Sequence, residues 1–218
     1  MIYENYGLRL VRVKSEHIEL IRYWRNHDSI KQFMEYKETI TAEMQKKWFR
    51  SIQSTPNLFL LVEYDHNFVG LVNGKNIDFE KGTAEGGVFI WDINFHNTEL
   101  PIRSLLALAD FAFLFCNIKN CYIKILKENK KSIEMNKIFG YKLVEGEENK
   151  ENQLYVVGAQ DFLKSTLYYK KHYKKVYKEP AKITFQKDDF EGNWANFYLE
   201  NFCDENNTHK DFLIEIEM

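Results

Sequence analysis

Apolar and polar positions change their spacing several times along the chain, and each change marks an element. Between Gly7 and Val13, Leu8, Leu10 and Val11 stand against Arg9 and Arg12, which predicts a first strand. Ser15 then caps a helix in which Ile18, Ile21 and Trp24 recur at helical spacing as far as Met34. Thr41 opens a second helix through Met44, Trp48 and Ile52, and Pro56 ends it. Leu58 to Tyr64 and Phe68 to Val72 flank the polar turn Asp65, His66, Asn67 and read as a β-hairpin, and Thr83 to Asp92 gives another strand. From Leu100 to Asn117 the apolar positions Leu105, Leu108, Ala109, Ala112 and Phe113 describe a mostly buried helix leading into the strand Cys121 to Leu126. A short helix covers Lys130 to Phe139, Gly140 stops it as a left-handed cap, and Tyr141 to Glu145 and Gln153 to Val157 read as two closing strands.

This order predicts an α+β or mixed α/β fold. The composition shifts near Asp161, where Phe162, Leu163, Leu167 and Tyr168 open a helix that becomes rich in Lys and Tyr up to Lys178. Beyond Pro180 the chain reads strand, helix (Phe190 to Phe202) and strand (Phe212 to Glu217). The expected division is a domain over residues 1–160 and, over 161–218, a C-terminal helix with a small accessory strand-helix-strand unit.

With 218 residues, 44% of them hydrophobic, the chain can bury one sizeable core. Its 30 basic side chains nearly cancel 32 acidic ones, leaving a formal charge of −2, which argues against a nucleic-acid partner. The mixed Lys/Tyr run from Tyr168 to Lys178 could stack on bases, but such a run is more often a solvated helix face with snorkelling lysines. The longest apolar stretch, Leu105 to Cys116, is interrupted by Asp110 and is about half the ~20 residues a membrane helix needs. No membrane association is expected, and with Glu4, Asn5 and Arg9 where a secretory signal needs an apolar core, the expected location is cytoplasmic. Cys116, Cys121 and Cys203 are odd in number and unpaired in spacing, and the six histidines show no metal-ligand pattern, so neither a disulfide framework nor a metal is expected. Net charge near zero permits a homodimer.

Two stretches carry a family resemblance. Tyr23-Trp24-Arg25-Asn26, followed by Ile30, Phe33, Met34, Ile40-Thr41 and Trp48-Phe49, resembles the first two helices of the GCN5-related N-acetyltransferase (GNAT) superfamily, in its branch that acetylates ribosomal-protein N-termini, polyamines and nucleotide-linked amino sugars. The run from Asn129 through Ser132 and Asn136 to Gly140-Tyr141 is similar to that family's pattern of an asparagine, a small residue three later and a closing Gly-aromatic pair. The resemblance spans about residues 7 to 160 and implies a mostly antiparallel central sheet flanked by helices, with a small C-terminal α/β extension. It also implies acetyl-coenzyme A as acyl donor, lying where two strands splay, with its pyrophosphate on the amides of the following helix.

In the family the phosphate turn is rich in glycine; here it reads His96-Asn97-Thr98-Glu99-Leu100-Pro101-Ile102-Arg103. Glu99 brings a carboxylate that would cost about 4 kcal/mol at ~4 Å from a phosphate charge in an effective dielectric near ~20, so it must point away. Pro101 removes an amide but suits a first helical turn. His96, Asn97, Thr98, Leu100, Ile102, Arg103 and Asn129 are expected around the cofactor, and amides near Phe89 and Trp91 are expected to polarise its carbonyl. Glu85, or else Asp92, is the expected base; Asn136 stands where relatives have an acidic tyrosine, so either Ser132 or water serves as the acid or the thiolate leaves unassisted. Arg25, Asn26, Phe33 and Trp48 are expected to meet the acceptor, a small-molecule amine for which the resemblance favours a nucleotide-linked amino sugar. The rival readings are a non-catalytic binding module that has lost the turn, transfer from an acyl carrier protein, and acetylation of a protein N-terminus.

Overall fold

The computed structural model describes residues 1–202 and 212–217. Its elements are β1 (Ile2–Asn5), β2 (Leu8–Arg12), α1 (Ile18–Asn26), α2 (Asp28–Lys31), α3 (Ala42–Gln53), β3 (Leu58–Tyr64), β4 (Asn67–Asp78), β5 (Thr83–Ile90), α4 (Leu100–Asp110), β6 (Asn120–Leu126), α5 (Lys130–Ile138), β7 (Lys142–Leu143), β8 (Asn152–Gly158), α6 (Ala159–Tyr177), β9 (Ala181–Gln186), α7 (Trp194–Phe202) and β10 (Phe212–Glu217). One ten-stranded sheet takes the order β10-β9-β1-β2-β3-β4-β5-β6-β8-β7. Its neighbours are antiparallel except for β5 with β6 and β9 with β10. The expected mixed α/β fold with a mostly antiparallel sheet is what the chain forms.

Period-two alternation sends side chains to two different cores. Leu61, Leu71 and Trp91 meet Ile18, Ile21 and Ile30 of α1 and α2 on one face, with Trp48 and Phe49 of α3 packed against them. Leu60, Val62, Val72, Ala84 and Ile90 project to the other face, into the larger core built with α4 and α6. Helix α4 is buried along nearly its whole length and continues through Phe111–Phe115 as a π-helical turn, in which the Cys116 amide reaches back to the Phe111 carbonyl at 2.9 Å. Among the described residues no helix is long and apolar enough to cross a membrane.

Three local expectations are corrected. Strand β1 was not expected; it pairs with β2 through a two-residue turn in which Tyr6 and Gly7 both have positive φ, 53° and 65°. Tyrosine is a poor residue for that conformation, and tertiary contacts hold it, since the Tyr6 hydroxyl donates to Asp110 at 2.6 Å and its ring packs on Tyr173. The single helix expected from Ser15 to Met34 is broken at His27, whose ψ of 135° divides α1 from α2. Strand β5 stops at Ile90, and Asp92 instead caps a short turn by accepting from the Asn94 amide at 3.0 Å.

The segment beyond residue 160 continues the same sheet, because β9 pairs with β1 from Ile2↔Thr184 to Glu4↔Lys182. Arg12 of β2 reaches the wholly buried Asp189 at 3.0 Å and lies 4.1 Å from the centre of the Trp194 ring. The Met1 amino group contacts the same carboxylate. Cys203 lies outside the described residues.

Within the Lys/Tyr run, Lys170 is not part of the solvated face. It is buried, and its Nζ lies 2.5 Å from Asp110, which also accepts from Tyr6. Burial pushes the Asp110 carboxyl above the usual carboxylate range, and Lys170 opposes that rise. Removing one partner of a buried pair costs about 3–5 kcal/mol. Lys170→Met is therefore expected to lower unfolding free energy by about that amount in urea titration, whereas Asp110→Asn with Lys170→Met, which keeps an acceptor for Tyr6 and removes the stranded charge, is expected to recover most of the loss.

Candidate active site

Strands β5 and β6 pair over only three positions, Thr83↔Asn120, Ala84↔Cys121 and Glu85↔Tyr122. Beyond them β5 bonds only to β4 and β6 only to β8, so a V-shaped opening runs from Gly86 to Ile90. The Trp91 amide donates to the Val69 carbonyl at 2.9 Å. By strand alternation the Phe89 amide points the same way, toward β4, and the amides facing the opening belong to Gly86, Val88 and Ile90. The amides expected near Phe89 and Trp91 to face the cofactor are thus those of Val88 and Ile90 rather than of Phe89 and Trp91 themselves. An apolar cavity lined by Gly74, Ala84, Gly86, Leu108, Ala112 and Tyr141 lies at the closed end, between sheet and α4.

The wide end is closed by the turn from Trp91 to α4. His96 contacts the Ile90 carbonyl through Nε2 at 2.7 Å and so fastens the turn to the end of β5. The Thr98 hydroxyl donates to the Phe95 carbonyl at 2.8 Å and accepts from the Leu100 amide at 3.2 Å. Pro101 occupies the first turn of α4, and the amides of Asn97, Glu99 and Ile102 have no partner among the described residues. Unpaired amides at and just before a helix start are the kind of donors that anions bind. Glu99 is exposed and does not cap the helix. Burial first, and the Glu99 charge second, push the Tyr173 hydroxyl up to about 12, which puts the carboxylate within electrostatic reach of α6. Arg103, expected beside the phosphates, instead lies buried, donating to the Tyr6 carbonyl at 3.2 Å and to the Tyr177 hydroxyl. Lys131, which the sequence did not single out, supplies the cation at this end: its Nζ lies 3.1 Å from the His96 carbonyl and 2.9 Å from Asn97 Oδ1.

Asn129 caps α5 by accepting from the Ser132 amide at 3.2 Å. Asn136 is buried and donates to the Ser132 carbonyl at 2.8 Å, so its amide is tied into its own helix, while the Ser132 hydroxyl has no partner among the described residues. Glu85 sits at the closed end of the V, held by Lys75 at 2.7 Å and by Asn76 at 3.3 Å.

The face of β3, β4 and β5 covered by α1 and α3 borders this opening at Phe89. Asn26 both donates to and accepts from the backbone of Ile40, at 2.9 and 2.7 Å, and so pins the intervening loop rather than offering a free amide. Trp48 packs edge-on against Phe59, and Phe33 is exposed. Arg25 is different. Its guanidinium lies 6.0 Å from the Phe89 ring centre, its Nε is buried without a hydrogen bond, and no carboxylate among the described residues pairs with it. Burial lowers the Arg25 pKa from its ordinary value. Among the described residues four buried side-chain atoms lack partners, and three of them (Arg25 Nε, Gln45 Nε2 and Asn73 Nδ2) belong to residues on this face; each such group costs about 1–3 kcal/mol while unpaired. Asn73 was also missed by the sequence reading, although a polar residue in the apolar run Leu71-Val72-Asn73 opposite Gly86-Gly87 was a visible signal.

Comparison with known proteins agrees with this geometry. No curated protein matches the sequence. FdhC, described as a nucleotide-linked sugar GNAT, superposes with a TM-score of 0.65 at 17% identity, over 78% of this chain and 97% of its own. The spermidine N-acetyltransferase of Vibrio cholerae, solved with coenzyme A and spermine, gives 0.64 at 17% identity over 73% and 99%. RimL, a ribosomal L7/L12 α-N-protein acetyltransferase solved with coenzyme A, gives 0.62 at 16% over 72% and 98%. At such identities the likeness is one of fold. Residues 10–155, the stretch that builds the V and the helices on both sides of it, match the family described as an acetyltransferase (GNAT) domain, and the chain belongs to that family.

Proposed function

We propose that the protein transfers an acetyl group from acetyl-coenzyme A to the primary amine of a nucleotide-linked amino sugar. The observation that carries the choice of acceptor is Arg25, a half-buried cation with no counter-charge among the described residues, on the face that borders the V. An unbalanced cation repels a polyamine and favours an acceptor carrying phosphate. FdhC, the nucleotide-linked sugar enzyme, shares the fold, which is compatible with this reading.

The residues present fit coenzyme A. The free amides of Asn97, Glu99 and Ile102, with Lys131, would hold its pyrophosphate, and the unpaired edge of β5 facing the V would hold its extended arm. When bound, acetyl-coenzyme A supplies an acyl group activated as a thioester. Glu85, positioned by Lys75 and Asn76, accepts the proton of the acceptor amine through water. Ser132 Oγ, which has no partner among the described residues, holds a proton for the departing sulfur.

Isothermal calorimetry is expected to give micromolar binding of acetyl-coenzyme A; no heat up to millimolar concentration would reject acetyl-coenzyme A as the donor. In an acetylation assay a uridine-diphosphate-linked amino sugar is expected to react and spermidine to remain unmodified. Arg25→Ala is expected to raise KM for the nucleotide sugar about 10–100-fold, as loss of a charged hydrogen bond worth about 1.5–3 kcal/mol requires. Preference for spermidine would reject this choice of acceptor. Glu85→Gln is expected to lower kcat by about 10²–10⁴ while acetyl-coenzyme A affinity, read by calorimetry, stays unchanged.

A further inference from the structure

Asn73 is a buried polar side chain near the closed end of the V. It pairs in register with Gly87, two positions beyond Glu85↔Tyr122, where β5 and β6 cease to bond. A Cβ at Gly87 would lie 2.7 Å from Asn73 Oδ1 and 3.2 Å from Nδ2, so the side-chain amide lies directly over this glycine. Asn73 is only 9% exposed, its Nδ2 is buried, and neither atom forms a hydrogen bond among the described residues. Glycine at 87 thus keeps open the space in which an unpaired donor is held beside the strand edge. A buried primary amide without partners is matched by a ligand that brings an acceptor oxygen to that point.

We infer that Asn73 Nδ2 donates a hydrogen bond to the acyl carbonyl oxygen of the donor substrate, an assignment that rests on the acetyltransferase reading. An extended arm entering from the α4 turn runs down the V toward its narrow end, and the acyl group at its tip arrives where Asn73 lies over Gly87. As the amine nitrogen bonds to the carbonyl carbon, the carbonyl π electrons move onto oxygen, and Asn73 stabilises that charge. The electrons return as the carbon–sulfur bond breaks and sulfur leaves with its pair, while the amine proton passes through water to Glu85. A fixed donor aimed at developing charge needs no reorganisation during the reaction. Asn73 would supplement the backbone amides that face the V.

The discriminating ligand pair is acetyl-coenzyme A and coenzyme A, which differ by the acyl group alone. Asn73→Leu keeps the volume and removes the donor; Gly87→Ala keeps the donor and displaces it. In both variants calorimetry is expected to show weakened acetyl-coenzyme A binding with coenzyme A binding unchanged, and kcat is expected to fall about 10²–10³-fold. The carbonyl stretch of bound ¹³C-labelled acetyl-coenzyme A, lowered in frequency in the unsubstituted protein, is expected to return toward its solution value. Thermal melting identifies any variant that fails to fold, and the infrared comparison is then read from the other. Equal losses for both ligands, or an unshifted carbonyl in the unsubstituted protein, would overturn the assignment of Asn73 while leaving the transferase reading intact. Absence of acetyl-coenzyme A binding by the unsubstituted protein would overturn both.

Discussion

Everything at the candidate site depends on how briefly β5 and β6 are joined. Three residues of parallel pairing hold them, and the next positions of each strand have no partner on the side facing the other. Backbone groups left unpaired at the centre of a sheet are costly unless water or a ligand meets them. The fold makes the gap tolerable by securing each strand from its far side, β5 by its antiparallel run with β4 and β6 by seven register pairs with β8. Beneath the gap, α4 and its π-helical continuation close the core with Leu105, Leu108 and Phe111. The opening is therefore a fixed feature between two well-supported half-sheets.

The turn at the wide end leaves main-chain donors free although it has no glycine. Pro101 sits where its missing amide costs least, within the first turn of α4, and three other amides there are free. Glu99 is the residue least suited to a phosphate, and its charge is felt by Tyr173 of α6. The cation comes from Lys131 on the neighbouring helix. Side chains that looked suited to ligands by type are consumed by the fold: Arg103 bonds to the Tyr6 carbonyl, and Asn26 pins the loop at Ile40.

The same economy ties the ends of the chain to the centre. Helix α6 lays Lys170 against Asp110 of α4, and Asp110 accepts from Tyr6 in the first turn, so one buried carboxylate joins three distant parts of the chain. Strand β9 then adds to β1, and Asp189 meets Arg12. Helix α4 is thus braced from behind by the C-terminal segment, beyond the stretch that matches the family.

The period of the apolar residues was enough to place most strands and helices, because alternation and helical spacing are local properties, and caps such as Thr41 and Asn129 act within three residues of themselves. Two of the local decisions that escaped it have clear physical reasons. The Tyr6-Gly7 turn is stabilised by Asp110, 104 residues away from Tyr6, and the break at His27 follows no proline or glycine. At the site, the family resemblance singled out Glu85, the turn before α4 and Arg25 as candidates. Only the tertiary structure decided which of these groups remain available: Arg103 and Asn26 are spent on the fold, whereas Arg25 Nε and Asn73 Nδ2 are buried without a partner among the described residues. A sequence specifies which donors and charges exist; whether each is satisfied within the molecule depends on what packing brings beside it.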